Sequence, residues 1–163
     1  MRLLKLDLNK LTKTKDSVKE FYSALTTQFN SLELTQSNSY ISKVCGFYSE
    51  DHPDRAIVTV TTMDTEINYD FIYDRFNIAV LVETKPKLQA SDITTIVNSN
   101  QSETVVERLR ERHNIAYMPE DFWVDARFIE WANHSKDRFI LEATFDSLWF
   151  TGKTSILLAE TPQ

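Results

Sequence analysis

The sequence predicts an α+β protein built of antiparallel strands and two main helices. Residues 15–30 and 102–113 carry apolar residues at the three- and four-residue spacing of an amphipathic helix. Most of the remaining chain alternates apolar and polar residues or is rich in β-branched residues, which is typical of strands with one buried face. Successive strand–helix–strand units are few, so we expect an α+β arrangement rather than a parallel α/β sheet.

Both main helices are predicted from an apolar face and a residue that can cap the first turn. The face of the first helix comprises Val18, Phe21, Tyr22, Leu25 and Phe29. Asp16 or Ser17 precedes it and can accept hydrogen bonds from the first free N–H groups. The face of the second helix comprises Val105, Val106, Leu109 and His113, with Ser102 as the expected cap. A shorter helix is predicted at residues 91–98.

Strands are predicted wherever alternation or β-branched residues dominate. The predicted strands are residues 3–8, 56–62, 67–73, 76–82, 123–131, 138–144 and 154–159. The clearest alternation lies in residues 67–73, where every second residue is large and apolar or aromatic. Residues 135–137 are predicted to form the tip of a hairpin.

The order of these elements occurs twice along the chain, which predicts a duplicated helix-plus-strands module of about 80 residues. Phe21 and Leu25 correspond to Val105 and Leu109, 84 positions later. Residues 61–65 resemble residues 143–147, 82 positions later. We therefore predict an N-terminal module at residues 1–75 and a C-terminal module at residues 76–163. Two such modules could pack side by side, or their sheets could merge into one domain.

Composition narrows the classes of partner that this chain can have. The net charge is −6 and the basic residues are dispersed, which argues against a nucleic-acid interface. No apolar run approaches the roughly 20 residues that a membrane helix needs. The single cysteine, Cys45, excludes an internal disulfide and is expected to be an inert buried thiol. Two glycines in 163 residues argue against Rossmann-like or P-loop chemistry, whose backbone must approach the cofactor closely. We predict no cofactor and no small-molecule ligand.

Gly152-Lys153-Thr154 matches the last residues of a phosphate-binding P-loop. Such a loop needs a glycine five positions earlier, where this chain has Ser147, and it must open into a helix. The segments on both sides of Gly152 have the composition of strands. Gly152 is therefore predicted to supply a bend or bulge between two strand segments.

The titratable residues show no recognisable catalytic or metal-binding spacing. His52, His113 and His134 are not spaced as zinc ligands. His113 ends a helix, where a protonated imidazole would suit the negative end of the helix dipole. Asp121 is expected to cap a turn, although Asp121 or Asp125 acting with His113 or His134 leaves a small hydrolase as an alternative. We predict no catalytic residue and no metal site.

Aromatic residues make up 12% of the chain, and Trp123, Trp131 and Trp149 are concentrated in its C-terminal third. A module of about 80 residues has difficulty burying so many large side chains. Aromatic residues in excess of the core are typical of protein–protein interfaces. We therefore name Trp131, Trp149 and Phe150 as interface candidates.

Several stretches together resemble small α+β modules in virion structural proteins of large tailed bacteriophages. They are VVERLRERH at residues 105–113, PEDF at residues 119–122 and ATFDSLWFTGKTSI at residues 143–156. YDRFNI at residues 73–78 is similar to the segment joining one module to the next, and MRLLKLD at residues 1–7 resembles the usual beginning of such chains. The resemblance is carried mainly by residues 69–159 and only weakly by residues 1–68.

The resemblance implies a non-catalytic structural protein that contributes protein–protein contacts in a capsid or tail. Its partners would be other virion proteins and copies of itself, and it would be made in the host bacterial cytoplasm. A cytoplasmic bacterial adaptor or immunity-type binding module is the first alternative, because the acidic charge and the aromatic content fit it equally. The small hydrolase is the second alternative.

Overall fold

The computed structural model describes residues 3–8, 11, 16–46, 50–99, 101–124 and 138–157. The chain divides into two compact units, Met1–Arg75 and Phe76–Gln163. Both contain helices and mostly antiparallel strands, so the predicted α+β class is confirmed.

The described part of the first unit is a four-stranded sheet with one α-helix and a 3₁₀ helix at Asn30–Leu32. Its elements are β1 (Leu3–Lys5), α1 (Ser17–Gln28), β2 (Ser39–Gly46), β3 (Arg55–Thr62) and β4 (Asn68–Asp74). The strand order is β1-β4-β3-β2, with β1 parallel to β4 and the other pairs antiparallel. The carboxylate of Asp16 accepts hydrogen bonds from the N–H groups of Val18 and Lys19, which confirms the predicted cap of α1.

The core of the first unit lies between α1 and one face of this sheet. Phe21 packs edge-on against Tyr73 of β4, with ring centroids 5.8 Å apart. Phe29, just after α1, packs against Phe71 at 5.2 Å. Alternate residues of β3 are buried on the same face, as the strand period requires. Cys45 in β2 is half-buried, so the expectation of a fully buried thiol is corrected.

The second unit has three helices and five short strands in its described part. Its elements are β5 (Phe76–Asn77), α2 (Ile78–Thr84), α3 (Ala90–Ser99), α4 (Ser102–His113), β6 (Phe122–Val124), β7 (Arg138–Ala143), β8 (Phe150–Thr151) and β9 (Lys153–Leu157). Strands β6, β7 and β9 form an antiparallel sheet, and β5 pairs in parallel with β8. A 3₁₀ turn at Pro119–Asp121 leads into β6.

The predicted strand at residues 76–82 is wrong beyond Asn77, because the chain there becomes helix α2. The side chain of Asn77 accepts a hydrogen bond from the N–H of Ala79, 2.9 Å away, and so caps the helix. A continuous apolar run is compatible with a buried strand and with a buried helix, and here the cap decides between them. The predicted strand at 123–131 is described only as far as Val124.

Gly152 separates β8 from β9 and has a φ of 93°, which confirms the predicted break in the final strand. Its carbonyl still accepts a hydrogen bond from the N–H of Ala143, so pairing with β7 continues across the break. When β8 and β9 are counted as one strand broken at Gly152, the strand order in the described part of the second unit is β5, β8–β9, β7, β6. In both units the first strand is therefore parallel to the last, and the last is antiparallel to the one before it.

Candidate functional site

The structure places two of the three predicted interface residues in the core of the second unit. Trp149 is 1% exposed and stacks on Phe76, while Phe150 is 0% exposed and lies against Tyr117 and Phe122. Both rings are accounted for by packing within the unit, and neither is accessible to a partner. Trp131 lies outside the described residues.

His113 is a buried core residue rather than a charged helix end. Its Nδ1 lies 2.8 Å from the hydroxyl oxygen of Tyr117, and the two rings pack edge-on. Burial lowers the pKa of His113 to about 4; a hydrogen bond with the backbone of Pro86 opposes this shift and the charge of Lys85 reinforces it. At neutral pH the imidazole is uncharged, which corrects the expectation of a protonated histidine at this helix end.

The side chain of Asp121, just before β6, is hydrogen-bonded to the turn that follows β7. The hydroxyl of Ser147 donates a hydrogen bond to the Asp121 carboxylate over 2.9 Å, and the N–H of Phe150 donates to the Ser147 oxygen over 3.2 Å. Burial raises the pKa of Asp121 to about 6, although hydrogen bonds with Ser147 and the backbone of Met118 lower it. This supports the predicted turn-capping role.

His113 and Asp121, the two described residues of the hydrolase alternative, therefore each have a structural partner. His113 bonds Tyr117, and Asp121 bonds Ser147. Asp125 and His134 lie outside the described residues. Within the described ranges, no three His, Cys, Asp or Glu side chains are arranged to hold a metal ion.

An ion pair between the buried Asp92 and the partly exposed Arg112 joins α3 to α4. Asp92 is 2% exposed and accepts hydrogen bonds from the Arg112 side chain and from the N–H of Gln89. Burial alone would raise the pKa of Asp92, but these bonds and the charges of Arg112 and Arg108 hold it below its usual value. The arrangement stabilises the pairing of α3 with α4.

The surface of the second unit exposes two aromatic side chains that the sequence analysis did not select. Trp123 of β6 is 56% exposed and lies on the face of the sheet opposite to Phe122 and Val124. Phe145, in the turn after β7, is 71% exposed. The sequence does contain signals for both, since Trp123 is out of phase with its buried neighbours and Phe145 stands beside Asp146 in a turn.

The turn that carries Phe145 has acidic surroundings. Asp146 follows it directly, and Glu120 lies in the 3₁₀ turn before β6; both side chains are exposed. Glu120 adjoins Asp121 and Asp146 adjoins Ser147, so both lie beside the hydrogen bond that joins Asp121 to Ser147 at the base of the turn. Their charges add to the raised pKa of Asp121. We call Phe145 with Glu120 and Asp146 the acidic aromatic turn.

Comparison with family models, with curated proteins and with solved structures found no match to this chain. Among the described residues, none of the helices combines the length and the apolar composition that a membrane span requires.

Proposed function

We propose that this chain is a bacteriophage virion structural protein that works by protein–protein contact in a capsid or tail and not by catalysis. Two observations support this proposal. One is the sequence resemblance of residues 69–159 to virion modules. The other is the set of large apolar side chains that stand exposed on regular strands and tight turns.

The exposed apolar side chains are the main structural support for this proposal. In the first unit Tyr40, Met63 and Ile67 are each about half exposed, and all three lie near one end of β2, β3 and β4. In the second unit Trp123 and Phe145 are more than half exposed. Full burial of a large apolar side chain is worth roughly 1.5–3 kcal/mol, so a half-exposed one forgoes about half of that. Contact with neighbouring subunits would recover this energy, and repetition across an assembly would multiply weak contacts.

The test is mass spectrometry of particles purified on a density gradient from cells infected by the phage that encodes the chain. We expect its peptides in the particle fraction at a constant ratio to the major capsid or tail proteins after a high-salt wash. Recovery only in the soluble fraction with one bacterial or phage partner would replace the proposal with the adaptor alternative. A turnover activity lost on His113→Asn without a change in melting temperature would favour the hydrolase.

A further inference from the structure

Phe145 has the largest exposed fraction among the large apolar side chains of the described residues, at 71%. A phenylalanine ring is worth roughly 1.5–3 kcal/mol when it is transferred from water to a buried site. Single exposed apolar residues are common on protein surfaces and need no function. What distinguishes Phe145 is the way in which its turn is held and the charges that surround it.

The turn is fixed at its base by four hydrogen bonds. The N–H of Thr144 donates to the carbonyl of Asp121 over 2.8 Å, and the N–H of Ser147 donates to the carbonyl of Thr144 over 3.1 Å. The Ser147 hydroxyl donates to Asp121 and accepts from the N–H of Phe150. A side chain presented on an ordered turn loses little conformational entropy when it binds.

Two acidic side chains of the described residues flank this turn. Asp146 follows Phe145 directly, and Glu120 precedes Asp121, whose carbonyl accepts the hydrogen bond from Thr144. A second copy of the same turn would bring like charges together, as would the anionic surface of a membrane. A surface that receives the ring and complements the charges is apolar at its centre and basic at its rim.

We propose that the Phe145 ring inserts into an apolar pocket of another virion protein, and that lysines and arginines around the pocket face Glu120 and Asp146. This proposal rests on the function proposed above, because the partner is taken to be part of the same particle. The ring would supply the buried centre of the contact, and the carboxylates would supply its orientation and its dependence on salt.

The direct test places a photo-crosslinking benzoylphenylalanine at position 145 of the full chain and irradiates the purified particles. We expect a cross-link to one other virion protein, mapped by mass spectrometry to apolar residues with lysine or arginine close by. Cross-links to a second copy of this chain, to lipid, or to a surface without basic residues would each overturn the proposal. So would the absence of any intermolecular cross-link in particles that contain the chain.

A second test compares incorporation of variants into particles. Phe145→Ala should reduce incorporation by about tenfold or more, as truncation of a central interface residue does. Val80→Ala is the matched control, because Val80 is 54% exposed in the same unit but lies on helix α2. The double variant Glu120→Gln, Asp146→Asn should weaken incorporation at low salt and converge on the wild type at high salt.

The outcomes separate this proposal from the proposed function. If purified particles lack the wild-type chain, both the proposed virion function and the inference about the Phe145 turn are wrong. Particles that take up Phe145→Ala as well as they take up the wild type, with equal salt dependence for the double variant, overturn only the inference about the turn. The melting temperature of purified Phe145→Ala, compared with that of the wild type, separates a binding defect from misfolding.

Discussion

Gly152 has a backbone conformation that residues with a side chain rarely adopt, with a φ of 93° between β8 and β9. A Cβ atom at this position would lie 2.5 Å from Oδ1 of Asn77. That same oxygen accepts the hydrogen bond from Ala79 that caps α2. An added methyl group would therefore strain the backbone at residue 152 and would also displace the Asn77 side chain that caps α2.

Gly152→Ala is expected to lower the free energy of unfolding by about 2–4 kcal/mol, of which about 1–3 is backbone strain and about 1 is the cap. Urea unfolding followed by tryptophan fluorescence measures this change. Gly46→Ala is the control, since Gly46 lies in β2 without a positive φ, and it should change stability by less than about 1 kcal/mol. Equal effects of the two substitutions would contradict the strain argument.

Asp121 makes stability depend on pH in a direction that is unusual for a carboxylate. Its pKa rises from 3.8 in the unfolded chain to about 6 in the folded one, chiefly because of burial. The protonated form is thus favoured by folding. Proton binding by Asp121 therefore stabilises the folded state. This stabilisation is complete below pH 3.8 and is lost as the pH rises through 6.

Asp121→Asn removes the charge but keeps an acceptor for Ser147, so it should stabilise the protein by about 1–2 kcal/mol at pH 8. The gain should disappear near pH 4. Melting temperatures of the variant and the wild type across this range provide the measurement. Asp64→Asn is the control, because that carboxylate is exposed in the first unit and should leave the profile nearly unchanged. A gain that is constant with pH would argue against a raised pKa.

The exposure of individual aromatic residues could not be predicted from composition. The C-terminal third was correctly identified as rich in aromatic residues, but Trp149 and Phe150 are buried while Phe145 is exposed. All three side chains are large and aromatic, and their burial depends on which side of a strand or turn faces the core. That choice is made by tertiary packing, which the local sequence of residues 143–156 does not specify.

At the level of elements, the two main helices were predictable from their apolar periodicity. The predicted cap of α4 is wrong, because Ser102 is its first helical residue and the cap position is Gln101, without a side-chain capping hydrogen bond. α1 has Asp16 as its cap and buries Phe21, Tyr22 and Leu25; α4 ends at His113 and is followed by Asn114 in a left-handed conformation. Helix α2 was missed because its apolar run has no polar face to reveal a helical period.

The α3–α4 pair depends on Asp92, whose carboxylate was not singled out in the sequence. It accepts the N–H of Gln89 at the start of α3 and the side chain of Arg112 in the last turn of α4. Asp92→Ala should lower stability by at least the ~1 kcal/mol of a lost helix cap. Chemical unfolding measures the loss.

Asp92→Asn separates the two roles of this carboxylate, because the amide oxygen can still accept the N–H of Gln89 but the charge facing Arg112 is gone. Its stability should lie between that of the wild type and that of Asp92→Ala. Addition of salt should reduce the difference between wild type and Asp92→Asn, since screening weakens the ion pair at the half-exposed Arg112. If the Asn and Ala variants were equally unstable, the charge rather than the cap would dominate.

At the level of the whole molecule, the strand pairings give a basis for the duplication that the sequence suggested. In each unit the antiparallel strand pair, β3 with β4 and β7 with β9, is joined by a parallel first strand, β1 beside β4 and β5 beside β8. We propose that the two units are repeats of one module, with α2 and α3 as an insertion between the first strand and the main helix of the second.

If each unit is a complete module with its own core, each should open independently of the other. Hydrogen exchange followed by mass spectrometry on the full chain tests this. Gly152→Ala should accelerate exchange in β7 and β9, by roughly tenfold for each 1.4 kcal/mol of lost stability, while β3 and β4 keep their protection. Val58→Ala, at a fully buried position in β3, should have the reciprocal effect. Equal acceleration of all four strands by either substitution would mean that the chain opens as one cooperative body, and two self-sufficient repeats would then be the wrong description.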